Sequence, residues 1–184
     1  TAILRIAVPI VLSNMSEPLI GVVNTAVMGR LPGPHYIGGV AVGALIFAFL
    51  FWGFGFLRLS TGGLSAQATG ADDRTELVTV LFRSLILALA IGLCLVALGP
   101  WLGPLAVSLV GGSDKVMAEA QVYFSYRIWA APAALTNFAI MGWFIGQGRS
   151  TTAFIVQLFL NLTNMGLSAA LVLGAGFATA GVGI

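Results

Sequence analysis

Five predominantly apolar runs, roughly 3–28, 37–58, 80–102, 120–146 and 151–174, follow one another with little sequence between them. Each holds about the 20 residues that an α-helix needs to cross the roughly 30 Å hydrocarbon layer of a bilayer. Inside that layer no water is available to the backbone, so an open chain crosses it as helices that satisfy their own N–H and C=O groups. The expected fold is therefore an all-α, multi-pass integral membrane bundle. Composition agrees, since 59% of the 184 residues are hydrophobic and 8% are charged, against about a quarter charged in soluble domains. The last residues, GVGI at 181–184, read as the start of a sixth span, so the chain is expected to be a truncated part of a larger bundle.

The connections are short. RLPGPHY reads as a tight turn, and GQGRS as another. RLSTGGLSAQATGADDRTEL is expected to be a loop joined to amphipathic helical turns, with Asp72, Asp73 and Glu76 at a helix start, where acids are favoured. GPWLGPLAVSLVGGSDKVM reads as an interrupted hairpin. With the N-terminus in the cytoplasm, Arg5, Arg58, Arg74, Arg83 and Arg149 fall at cytoplasmic ends, against Arg30, Lys115 and Arg127 outside. Because basic residues in short loops prefer the cytoplasmic side, the expectation is a cell (inner) membrane protein with its N-terminus inside.

Other chemistries find little support. The net charge of +2 comes from basic residues scattered singly, which make no stripe for nucleic acid. Cys94 is the single cysteine and His35 the single histidine, so neither a disulfide nor a cysteine or histidine metal cluster is expected. GVAVGA has no strand around it to make a dinucleotide site. Trp52, Trp101, Trp129 and Trp143 fit interfacial or core packing. Gly38, Gly39, Gly43, Gly53 and Gly55 are expected to permit close helix contact.

Polar groups inside two spans stand out against this background. At about 100° per residue, Ser13, Glu17 and Asn24 share one narrow face of the first span. Gln157, Asn161, Asn164 and Ser168 do the same on the fifth. An unpaired amide facing hydrocarbon costs several kcal/mol, so these faces must meet each other or line water. Hydrogen bonding between helices explains the amides equally well. Glu17 weighs toward function, because an ionisable group at the middle of a span usually marks an ion or proton path; the alternative is a protonated or locally hydrogen-bonded carboxyl beside the Pro18 kink. Pro9, Pro18 and Pro132 remove backbone hydrogen bonds within spans and are candidate kink or gating positions.

The ordered series AVPIVLSN, PLIGVVNTAVMGRL, YIGGVAVGA, FLRLSTGGLSAQATGA, VGGS, APAALTN and GWFIGQG resembles the multidrug and toxic compound extrusion (MATE) transporters, in particular their DinF-like branch. The resemblance covers essentially the whole chain. It implies twelve helices in two six-helix lobes, with residues 1–184 as most of the N-terminal lobe and a C-terminal lobe of the same transporter as partner. It also implies export of small organic or cationic molecules in exchange for protons or sodium ions by alternating access, without covalent catalysis or a cofactor. Two positions depart from the family pattern: Asn24 and Ser168 stand where DinF-like relatives typically carry aspartate. Neither side chain exchanges a proton at physiological pH, which leaves Glu17 as the candidate for part of the coupling role. A flippase for lipid-linked precursors and a non-transporting membrane scaffold are the rival readings. Glu17→Gln in the complete transporter is expected to slow proton-driven efflux; unchanged efflux would remove Glu17 from the mechanism.

Overall fold

The computed structural model describes residues 34–174. Six α-helices follow one another: α1 (Pro34–Gly53), α2 (Phe56–Gly70), α3 (Arg74–Val110), α4 (Asp114–Arg127), α5 (Ala131–Gly146) and α6 (Ser150–Ala169). A 3-10 turn, Ile128–Ala130, joins α4 to α5, and a π turn, Ala170–Gly174, follows α6. Within the described residues the chain makes four runs long and apolar enough to cross a membrane: His35–Gly70, Arg74–Val110, Asp114–Gly146 and Ser150–Val172. The expected first span, with Pro9, Glu17, Pro18 and Asn24, lies outside the described residues.

Two long expected connections are helical instead. The segment after Arg58 continues as α2 to Gly70, and the turn is confined to Ala71–Asp73. Its glycines suggest a loop, yet Leu57, Thr61, Ser65 and Ala68 form a buried stripe at helical spacing. Packing along that stripe outweighs the roughly 1 kcal/mol that each glycine costs a helix. Asp73 caps the next helix, its Oδ1 accepting the Glu76 N–H at 2.9 Å. The expected interrupted hairpin is likewise the end of α3, which runs through Pro100 and Pro104 to Val110. The two Gly-Pro pairs are four residues apart, so Gly99 and Gly103 are both buried while Pro100 and Pro104 face outward. The hydrogen bonds lost at each proline therefore lie on the side away from helix contact.

Two broken helical runs lie side by side and parallel. Along α1 and α4, Gly38 faces Val116, Gly39 faces the backbone at Glu119 and Ala120, and Gly43 faces the Tyr123 ring. Along α2 and α5, Gly142 faces the Arg58 carbonyl, and Gly146 faces the Gly62 carbonyl and Ser65. Gly53 and Gly55 depart from the expectation of close helix contact. Among the described residues Gly53 has no neighbour where a Cβ would project, and Gly55 meets only the Trp52 carbonyl; they flank the turn at Phe54 that separates α1 from α2.

The third helix packs antiparallel against the second run, with Gly92 on the Pro132 backbone, Gly99 on Ile128 and Gly103 on Phe124. Pro132 thus sits at the start of α5, just after the 3-10 turn, with its ring carbons against α3. Phe47 stacks on Phe124 at 5.0 Å within a core that includes Leu57, Leu95, Ile128 and Leu135. Outside that core Trp52, Trp101, Leu109 and Phe159 are strongly exposed, as lipid-facing side chains are. Gly142→Val is expected to lower the unfolding stability in detergent by about 2 kcal/mol or more, through forced separation of α2 and α5. Gly63→Ala, with no neighbour within 4 Å among the described residues, should leave it unchanged or slightly raised.

Candidate functional site

The polar face of α6 turns toward the bundle. Its buried positions are Ser150, Ala153, Asn161 and Ser168, with Val172 buried in the π turn that follows, whereas Ile155, Phe159, Leu160, Leu162 and Leu167 are exposed. A wholly apolar helix could present any side to lipid; the amides of α6 make one orientation far cheaper than the others.

Two helices contribute to a chain of amides. Asn137 Nδ2, on α5, donates to Gln157 Oε1 at 3.0 Å. Gln157 Nε2 in turn donates to Asn161 Oδ1 at 2.9 Å, one turn further along α6. Asn161 is 5% exposed and Ser168 2%, while Asn137, Gln157 and Asn164 are half-buried. Gln157 is the hinge of the chain, because it uses both its acceptor and a donor to join the two neighbours. Such an arrangement can hold α6 against α5 and can present further amide donors and acceptors to a polar solute. It carries no charge of its own, so attraction for a cation has to come from elsewhere.

Of the expected residues, Gln157 and Asn161 are joined directly, and Asn164 and Ser168 follow on the same helix. Glu17 and Asn24 lie outside the described residues. Asn137 was missed as a site residue, although it ends the APAALTN stretch and is an amide inside an apolar run. That is the same signal that singles out Gln157. Among the described residues, no three His, Cys, Asp or Glu side chains gather as a metal site would require.

Antiparallel and parallel helices with glycine seams, a lipid-facing apolar exterior and amides turned inward define a multi-pass helical membrane protein. The MatE family model matches residues 9–170, and the chain belongs to that family. It is 40% identical over 173 residues to DNA damage-inducible protein F of Escherichia coli (strain K12), a match covering 94% of this chain and 38% of the relative. It is 29% identical over 174 residues to a probable multidrug resistance protein NorM of Pseudomonas putida, covering 94% of this chain and 37% of that protein. The chain thus spans less than two fifths of these relatives. Its fold matches a structure described as the outward-facing conformation of a multidrug resistance MATE family transporter of the MOP superfamily. The TM-score is 0.88 at 22% identity, over 99% of this chain and 40% of the other.

Gln157→Leu removes both links of the amide chain and is expected to cost about 1–2 kcal/mol of stability in a bilayer. Combining it with Asn137→Leu should add less than the sum of the two, because they share one hydrogen bond. Unfolding in mixed micelles, run as a double-mutant cycle, reads both quantities.

Proposed function

We propose that this chain is the N-terminal lobe of an efflux transporter that exports small organic or cationic compounds in exchange for protons or sodium ions. The observation that carries the proposal is the MatE match across residues 9–170, together with an inward polar face on α6 that a lipid-facing helix would not need. In this reading the two lobes enclose a cavity that opens alternately to either side of the inner membrane, and the N-terminus is cytoplasmic. The α6 amides line the N-lobe wall, with Gln157, Asn161, Asn164 and Ser168 offering donors and acceptors to substrate. Glu17 is the acid that attracts the coupling ion from the first span. Pro9, Pro18 and Pro132 are the positions at which the helices bend as the cavity changes sides.

No covalent step is involved; the gradient biases two conformations of the bundle through their different affinities for the ion and the substrate. Relatives carrying multidrug resistance names support the cargo class, and the departure from the DinF-like pattern at Asn24 and Ser168 makes the coupling group the point of difference within it.

The test is efflux of a cationic dye from energised vesicles containing the native polypeptide. Dye export should require an imposed ion gradient and collapse when that gradient is dissipated. Asn161→Leu should weaken export of polar substrates more than that of apolar ones. Gradient-independent dye distribution, identical to vesicles without the protein, would leave the scaffold reading in its place.

A further inference from the structure

The runs His35–Gly70 and Arg74–Val110 have 36 and 37 residues, against about 20 needed to cross the hydrocarbon. Arg58 and Arg83 mark where this hairpin leaves the apolar layer. Gly142 of α5 packs on the Arg58 carbonyl and so stands at the same level. Asn137 precedes it by five residues, or about 7 Å at 1.5 Å per residue. Asn137 therefore lies inside the apolar layer, near the edge from which the hairpin projects. Gln157 is level with it, and Asn161 is one turn further from that edge. In the orientation proposed above this is the cytoplasmic edge, where cargo for export enters.

The chain of amides has a direction. A carboxamide carries an acceptor oxygen and a donor nitrogen. Asn137 gives Nδ2 to Gln157 Oε1, and Gln157 gives Nε2 to Asn161 Oδ1. The group left over at the Asn137 end is an oxygen, and among the described residues none donates to it. Among those residues the side-chain oxygens and nitrogens sealed from solvent with no partner are Ser65 Oγ and Thr136 Oγ1. Asn137 Oδ1 is not one of them, so it opens on space, as its half-buried side chain allows. The amide group is planar, and its bond to Gln157 fixes the plane in which that oxygen lies.

We infer that Asn137 is a specificity-determining residue: its Oδ1, held in place by Gln157, accepts an N–H of the entering cargo and so selects molecules that donate over isosteric ones that cannot. The inference rests on the efflux reading for the path of the cargo, but the choice it describes is one of binding. A ligand without a donor covers the oxygen and leaves it unpaired, which is costly away from water. The amide chain carries no charge, so it selects by hydrogen bonding and leaves attraction of a cation to other groups. Gln157 is the positioning residue, because it occupies the Asn137 nitrogen and leaves the oxygen to the ligand.

The probes are ethidium, a planar cation with primary aromatic amines, and its N-permethylated form, which keeps the ring and the charge and has no N–H. Binding of each to the native polypeptide in nanodiscs is read by fluorescence anisotropy, with empty nanodiscs subtracted. Ethidium should bind about fivefold more tightly than the methylated dye. The ratio of the two affinities is the readout, so a general weakening of any variant cancels. Asn137→Leu should bring the ratio to about one, and Gln157→Leu should lower it by about half or more. Asn137→Asp keeps an acceptor oxygen and should retain the preference, as should Gly63→Ala, which lies away from the chain.

Equal binding of the two dyes by the unsubstituted protein would overturn the inference without any variant, as would binding of neither. A ratio that survives Asn137→Leu would overturn it too. So would a ratio lost to the same extent in Asn137→Asp, because the oxygen would then not be the selecting group. Gradient-driven export of both dyes, measured in parallel, separates the two readings. A binding ratio that follows Asn137 in a protein that exports neither dye supports this inference and removes the efflux reading. Equal binding with export of both dyes does the reverse.

Discussion

Close approach of helix backbones at glycine is the interaction on which the rest of this structure depends. Lipid tails are as apolar as leucine, so burying leucine between helices gains little in a membrane, and association rests on packing and hydrogen bonds. Gly142 and Gly146 bring α5 onto the carbonyls of Arg58 and Gly62, and Gly43 receives the Tyr123 ring between α1 and α4. Beside these seams, Thr61 on α2 donates to Ser84 on α3 at 2.9 Å. Trp143 can likewise reach the Leu77 carbonyl on α3.

The same constraint explains how the helices tolerate their breaks. The turn at Phe54 and the 3-10 turn at Ile128–Ala130 fall in the two runs that lie side by side, close to the aromatic contact of Phe47 with Phe124. At the first break the backbone stays hydrogen-bonded, with the Phe54 N–H donating to the Phe51 carbonyl and the Leu57 N–H to the Phe54 carbonyl, each at 3.0 Å, which spares these groups the cost of standing unpaired in hydrocarbon. Pro100 and Pro104 differ, since each follows a glycine on the contact face of α3 and itself stands on the exposed face, so the helix contact is kept through both prolines.

Polar side chains divide by depth. In the middle of the bundle they are uncharged, and the amides Asn137, Gln157 and Asn161 are joined by hydrogen bonds. Charges gather at the protruding end of the α2–α3 hairpin, where water and headgroups solvate them; Arg83 and Glu76 can pair there at 3.5 Å while remaining largely exposed. Membership of the MatE family gives both zones a setting, since an inward polar face and a charged membrane end are separate demands on one bundle.

Apolar run length and the cost of unpaired polar groups in hydrocarbon determined, from sequence alone, that the chain is helical, crosses a membrane several times, and turns Gln157 and Asn161 inward. Those are one-dimensional properties, readable from residue type and helical period. Tertiary structure decided what depends on a neighbour: that STGGLSAQATG is helix because α5 and α3 cover one of its faces, that Gly53 and Gly55 flank a break while Gly38, Gly39 and Gly43 make contact, and that Asn137 is the partner of Gln157. It also decided that Asp72 and Arg149, 77 positions apart in the chain, line one cleft. The physical reason is that glycine has no side chain to declare its role: the same residue weakens a lone helix and permits the tightest contact between two, and only the facing surface tells which effect wins.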